Sequence, residues 1–226
     1  AQQAMALAPD LAESYVALSI TLGFVERDQK ASLEAAERAL ALNPGSLDVQ
    51  GNYSQLASSI GRRDEAIASG LAAAELDPLS PEAHVGLAST YYFAGRFAEA
   101  EQAARRAIAL APDHTSSHYT LGMVLLSQRQ DADALAEFEK ESVRWQRMTG
   151  RALVFARTGR VNEARKEMDE LHRQLGDAPS YQLAQISAQL GDVDGAFRWL
   201  ENARRVHDPG LVGQLAVDPL LDAIRQ

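Results

Sequence analysis

Small and large apolar residues recur at a fixed distance along this chain, and each recurrence ends at a proline. A run of the form Ala-x-x-Leu-x-Pro places Pro44, Pro78 and Pro112 34 residues apart. A period of about 34 residues is typical of helix–turn–helix units stacked side by side. No strand-like alternation bounded by turns survives this alignment. The pattern predicts an all-α, right-handed superhelical solenoid of about six repeats.

Each unit carries two further marks. A turn glycine comes first, and an alanine follows five residues later at the expected crossing of the two helices, where a larger side chain would push them apart. Glycine suits the turn because helices commonly end in the left-handed region. Arg129 fills the turn position without glycine, and Ser32 replaces the alanine. The glycine–alanine pairs are Gly61/Ala66, Gly95/Ala100, Gly159/Ala164 and Gly191/Ala196.

The first helix of a unit carries a large apolar residue followed by a small one, as in Leu87-Ala88, Leu121-Gly122 and Leu183-Ala184. Together, these marks resemble the tetratricopeptide repeat family, and the segment 81–112 matches it best. The resemblance covers nearly the whole chain. It implies a superhelix whose first helices line a concave groove for a protein or peptide.

The units divide the chain into four regions. Residues 12–143 form repeats one to four, and 145–208 form repeats five and six. Residues 1–10 look like the end of a preceding repeat whose first helix is missing, so we expect a longer protein. Residues 209–226 are predicted to cap the last repeat, with Leu220, Leu221 and Ile224 on one apolar stripe.

Two irregularities change the expected geometry. Unit one carries one extra residue around Val25–Lys30, which predicts a looser corner. The spacing between Ala134 and Ala164 falls to 30, and the closing proline is absent. We therefore expect a kink between the fourth and fifth units, near residues 141–149.

Composition excludes several classes of function. A formal net charge of -9 and a pI near 5.1 argue against direct nucleic-acid binding, which needs a basic face. No apolar stretch approaches the length of a membrane span, so we expect no membrane insertion by this segment. The chain has no cysteine, and hence no disulfide or thiolate site. We expect a cytoplasmic location, or a periplasmic one if a membrane span lies upstream.

Candidate catalytic chemistry is sparse. The sequence lacks a nucleophile elbow and both glycine-rich phosphate loops. His84 and His118 occupy equivalent positions in successive units, with His114 one turn before His118, but suitable acidic ligands are not placed beside them. These histidines are expected to pack. We predict no catalytic residue, no metal site and no cofactor, so the segment is not expected to be an enzyme.

The family resemblance assigns the groove wall to fixed positions of each first helix. Relatives that clamp the C-terminal carboxylate of heat-shock chaperones carry lysine and asparagine there, whereas this chain carries neutral or apolar residues. Aromatic residues and methionine suit an apolar helix or extended peptide. Packing between the first helices is an equal alternative for the aromatic residues. The candidate groove residues are Gln55, Ser59, Val85, Ser89, Tyr92, Phe93, Tyr119, Met123, Tyr181 and Gln185.

A basic patch is the second candidate surface. Arg144, Arg147 and Arg151 fall on one helix face and could engage an acidic partner or a phosphate. The alternative is a solvated face whose arginines pair with nearby glutamates, each pair contributing about 0.2–0.5 kcal/mol.

The predicted function is a non-catalytic protein–protein interaction module. Residues 191–225 resemble the C-terminal end of repeat regions in bacterial signalling proteins, where repeats follow a class III nucleotide cyclase, a winged-helix domain or a kinase. This resemblance implies the regulatory part of a larger signalling or transcription protein. The alternatives are a domain that senses a small molecule and a self-assembly module that forms a homodimer through its open N-terminal repeat.

Overall fold

The computed structural model describes residues 10–225. Residues 1–9 of the expected remnant at 1–10, and with them the homodimer surface assigned to it, lie outside the described residues. Thirteen α-helices and no strand occur in the described part, which confirms the all-α repeat fold. They are α1 Ala12–Ile20, α2 Gln29–Leu42, α3 Leu47–Ser59, α4 Arg63–Leu76, α5 Pro81–Phe93, α6 Phe97–Leu110, α7 Ser117–Ser127, α8 Asp131–Lys140, α9 Arg144–Arg157, α10 Val161–Leu175, α11 Ser180–Gln189, α12 Val193–Val206 and α13 Pro209–Gln214; a π-helical turn Thr21–Glu26 follows α1, and a 3₁₀ helix spans Pro219–Ile224.

The helices form two layers. Odd-numbered helices from α1 to α11 are first helices, and each packs on the first helix of the next unit. Contacts between successive second helices are fewer. Because the inner row is closely packed and the outer row splays, the stack curves with the first helices on its concave side.

Left-handed residues form the corner inside each unit. Gly95 has φ 77° at such a corner, and Arg129 adopts φ 66° where the sequence has no glycine. The small residue that follows is buried in every unit: Ser32, Ala66, Ala100, Ala134, Ala164 and Ala196 are each at most 1% exposed. Small side chains are needed here because the two helices of a unit cross at this point.

The first unit absorbs its extra residue in the π-helical turn Thr21–Glu26, which ends at Arg27 with φ 58°. A π turn inserts one residue into a helix without breaking it. In that unit the hydroxyl of Ser32 donates to the backbone oxygen of Ser19 at 2.8 Å.

A close approach joins the fourth and fifth units. Only residues 141–143 separate α8 from α9, the shortest connection between units. The fully buried ring of Phe138 lies between Gly122 of α7 and Gly150 of α9. The buried Glu141 carboxylate accepts hydrogen bonds from the backbone N–H groups of Tyr119 and Val143, at 3.1 and 2.9 Å. The kink expected here stays a prediction.

No helix in residues 10–225 has the length and apolar character needed to cross a membrane.

Candidate functional site

A cavity of about 870 Å³ lies on the concave side of the first three units. Its walls come mainly from the first helices α1, α3 and α5, which contribute glycine, alanine and serine residues together with larger apolar side chains such as Ile20, Leu47 and Phe93. Small residues arise here because neighbouring first helices pack closely along the inner row. We call this space the N-terminal cavity.

Five predicted groove residues lie together on the wall of this cavity. Gln55 and Ser59 come from α3, whereas Val85, Ser89 and Phe93 come from α5. The amide of Gln55 is exposed, and the other four side chains are half-buried. The arrangement presents an apolar strip beside hydroxyl groups, and its role in binding stays a prediction.

The other five predicted groove residues lie further along the concave side and are largely covered. Tyr92, Met123, Tyr181 and Gln185 are each less than 9% exposed, and Tyr119 is half-buried. The ring of Tyr92 lies 5.1 Å from that of Phe93, centroid to centroid. These side chains therefore form no open groove wall in this conformation.

The chain's own C-terminal segment, residues 208–225, binds Tyr181 and Gln185 and lies near Tyr92 and Tyr119; we call it the tail. Leu220 joins the same buried cluster as Tyr92 and Met123. Leu221 and Ile224 join Tyr181 in a second cluster over the last unit. The predicted apolar stripe is thus buried, although on a 3₁₀ helix that packs against α11.

Two buried aspartates hold the tail, and sequence reasoning missed both. One carboxylate oxygen of Asp218 accepts hydrogen bonds from the Tyr181 hydroxyl at 2.7 Å and the Gln185 amide at 2.6 Å. Asp208 accepts one from the backbone N–H of Tyr181 at 2.9 Å. The signal in the sequence was a repeated Asp-Pro-x-Leu, at residues 208–211 and 218–221.

Burial controls the protonation of these groups. Desolvation raises the pKa of Asp218 above its usual value, although the Leu220 N–H, Tyr181 and Gln185 act in the opposite direction. Desolvation also raises the pKa of Tyr181, and the neighbouring Asp218 adds to it. Desolvation also raises the pKa of Tyr92 strongly, and the negative charges of Asp218 and Asp222 raise it further. In all three groups the first cause of the shift is burial.

The predicted basic patch is engaged within the protein. Arg151 lies 3.4 Å from Glu139 and 2.9 Å from Glu167, so it bridges α8 and α10. Arg144 contacts Glu170 at 3.5 Å, and Arg147 donates to the backbone oxygen of Glu141 at 2.5 Å. All three guanidinium groups therefore make intramolecular contacts with glutamates.

His84 and His118 form hydrogen bonds to the turns between units. The Nε2 atoms of His84 and His118 lie 3.1 and 3.2 Å from the backbone oxygens of Pro78 and Pro112. Both residues therefore serve the same local purpose one repeat apart. In the described part of the chain, no three histidine or carboxylate side chains are grouped so that they could hold a metal ion.

Paired helices, left-handed corners and a concave row of first helices define a helical-repeat solenoid. Residues 85–147 match the model of the tetratricopeptide repeat family, and a comparison with curated proteins gave no match. The fold is accordingly a superhelix of helix–turn–helix repeats, with the tetratricopeptide signature in residues 85–147.

Solved structures agree with this assignment. The chain is similar to pilF of Pseudomonas aeruginosa, with 21% identity and a TM-score of 0.58 over 91% of this chain and 96% of that one. A thermophilic tetratricopeptide-repeat protein of Thermus thermophilus gives 17% identity and a TM-score of 0.66, over 85% of this chain and 99% of that one. The APC/C hetero-tetramer Cut9–Hcn1 gives 12% identity and a TM-score of 0.67, over 98% of this chain and 45% of that one. At these identities the likeness is one of fold.

Proposed function

We propose that the chain is a non-catalytic interaction module that binds a peptide or short helix in the N-terminal cavity. The observation that carries the proposal is the cavity itself, whose volume of about 870 Å³ opens on the concave row of first helices. Scaffolds of this kind recognise a segment through an apolar groove with a few polar groups.

The lining indicates what kind of segment fits. Val85 and Phe93 supply apolar contact, whereas the hydroxyl oxygens of the half-buried Ser59 and Ser89 remain able to accept a hydrogen bond. Such atoms can bond the main chain of a bound peptide. The described lining includes the carboxylates of Glu13, Asp48 and Glu82 but no lysine or arginine. A neutral or basic segment therefore fits this wall better than an acidic one.

A random peptide library selected against the purified chain tests the proposal. Ser89→Trp would fill the cavity, and Ala98→Trp on the exposed side of α6 is the matched control. We expect Ser89→Trp to weaken the selected peptides at least about 10-fold while the control leaves them unchanged. Peptides that bind both variants like the parent, or no selected peptide at all, would contradict this function.

The proposal extends to the biological context. The resemblance of residues 191–225 to repeat regions of bacterial signalling proteins supports a regulatory role beside an effector domain. Sequencing the gene upstream of the codon for Ala1 tests this: a cyclase, winged-helix or kinase domain is expected, and an unrelated enzyme or a stop codon would contradict it.

A further inference from the structure

The tail bridges the two ends of the superhelix across its concave side. Helix α13 contacts α11 and α12 of the last unit and also α3 and the π-helical turn at the beginning of the chain. Gly210 and Gln214 line the N-terminal cavity. Nearby, the Arg27 guanidinium donates to the backbone oxygen of Arg204 at 3.4 Å, 177 residues away. The tail is therefore an occupant of the concave face as well as a cap.

The two Asp-Pro turns attach the tail to a single helix. Each aspartate uses one oxygen to begin its own turn, since Asp208 accepts from Gly210 N–H and Asp218 from Leu220 N–H, both at 2.9 Å. The other oxygen of each binds α11, through the backbone N–H of Tyr181 for Asp208 and through the hydroxyl of Tyr181 and the amide of Gln185 for Asp218. Tyr181 and Gln185 thus form a carboxylate-binding site on α11.

Gly210 fits closely against α11, and the residues between the two aspartates suit the charge of the cavity wall. A Cβ atom on Gly210 would lie 2.7 Å from the Tyr181 ring, so only glycine permits this approach. Residues 209–217, between the two aspartates, carry no charge. Gly210 and Gln214 of this stretch line the cavity, whose ionisable lining groups are carboxylates. The uncharged stretch avoids repulsion there, and the aspartates lie where neutral donors receive them.

Part of the attachment is conditional, because beside the apolar contacts of Leu220, Leu221 and Ile224 it uses buried polar groups. A carboxylate excluded from water is stable only while its donors are in place. Two apolar side chains in the same positions would hold the tail without such a condition. The chain therefore has a means of attaching the tail that loses much of its strength when one hydrogen-bonding group is removed.

We propose that residues 208–225 are a built-in, displaceable occupant of the concave face, and that the external ligand which replaces them has the same chemistry: an uncharged, apolar, glycine-containing stretch between two Asp-Pro turns. The inference rests on the proposed function, because displacement requires a ligand that competes for this face. Ligand binding and tail release are then one equilibrium, in which the docked tail lowers the apparent affinity for the ligand.

A labelled synthetic peptide of residues 207–226 tests the proposal in trans. Asp218→Ala removes the contacts to Tyr181 and Gln185, whereas the matched control Asp222→Ala removes only an exposed contact with Arg225 in the same 3₁₀ helix. We expect Asp218→Ala to bind the peptide at least about 10-fold more tightly than the parent and the control, because its own tail competes less. The same protein should bind about 10-fold less tightly to a peptide with alanine in place of the second aspartate, since the α11 site is then unused.

Equal affinities for the parent and Asp218→Ala, or no binding by either, would overturn the proposal. Hydrogen exchange on the parent chain decides the question if the variant does not fold. The amides of Leu220, Leu221 and Arg225, which bond within the tail, should exchange through an opening that leaves α11 protected. If the tail amides and the α11 amides both exchange only through global unfolding, the proposal of a displaceable tail is overturned as well. If the tail-peptide experiment fails, the Ser89→Trp experiment can still support peptide binding in the N-terminal cavity. If the Ser89→Trp experiment alone fails, the proposed function is contradicted.

Discussion

The contact between Phe138 and two glycines gives the sharpest test of the packing. An added Cβ at Gly150 would lie 2.2 Å from the Cδ1 and Cγ atoms of Phe138, and one at Gly122 would lie 2.5 Å from its Cε1 atom. Carbon atoms prefer a separation of about 3.5–4.0 Å. The ring is fully buried, so it cannot swing into solvent. Gly150→Ala must therefore push the ring, and the ring must push α7.

The expected cost follows from two opposing effects. Overpacking of a filled core costs about 1–3 kcal/mol, and we place this site near the upper end because the base of the ring is struck. Alanine recovers about 1 kcal/mol of helix propensity relative to glycine. Gly150→Ala should thus lose about 2 kcal/mol, which corresponds to a fall in Tm of about 4–8 °C for a chain of this size.

Thermal and urea unfolding followed by circular dichroism would measure the effect. Gly86→Ala is the matched control, because its Cβ would meet nothing within 4 Å on an exposed position of α5. The control should gain about 0.5–1 kcal/mol. Combining Gly150→Ala with Phe138→Leu should recover part of the loss. If Gly150→Ala is as stable as Gly86→Ala, the proposed contact between the fourth and fifth units is wrong.

Three further outcomes are expected. Ala100→Leu should cost about 1–3 kcal/mol in thermal melts, because Ala100 is fully buried at a helix crossing; an unchanged midpoint would contradict the repeat register. Arg129→Gly should raise stability by about 0.5–1 kcal/mol in the same melts, because glycine adopts φ 66° without a Cβ penalty; a loss would show that the Arg129 side chain is needed. The raised pKa of Asp218 means that the docked tail binds its proton more tightly than the free tail does. Docking should therefore be stronger below that pKa than above it. The hydrogen-exchange protection of the tail should rise as the pH is lowered from neutral in the parent but not in Asp218→Asn, and a fall in the parent's protection would contradict the assignment.

Much of the fold was accessible from local sequence. The corner position was predicted at Arg129 despite the missing glycine, and Arg129 adopts the left-handed conformation there. Ala100 and its equivalents were expected at helix crossings, and they are buried. These features succeed because each unit of a solenoid contacts mainly its neighbours, so short-range patterns determine the local structure.

The candidate site was only partly accessible. The positions of Val85, Ser89 and Phe93 on one wall follow from repeat register, because equivalent positions of stacked first helices lie side by side. Tyr92 occupies an equally valid position in its helix, but it is 4% exposed beneath the tail. No periodicity could show this burial, since the covering residues lie more than one hundred positions away along the chain.

The sequence by itself therefore determined the helices, their corners and the small residues at their crossings, because those contacts lie within one or two units. Only the tertiary structure decided that the last unit meets the first, and that the tail crosses between them to occupy the concave face. The curvature of the superhelix is the physical reason. It is the sum of small rotations between successive units, and no single unit encodes that sum. Asp218 shows the result: its carboxylate begins a local turn that the sequence displays, yet it binds Tyr181, 37 residues away, only because the stack has brought the two together.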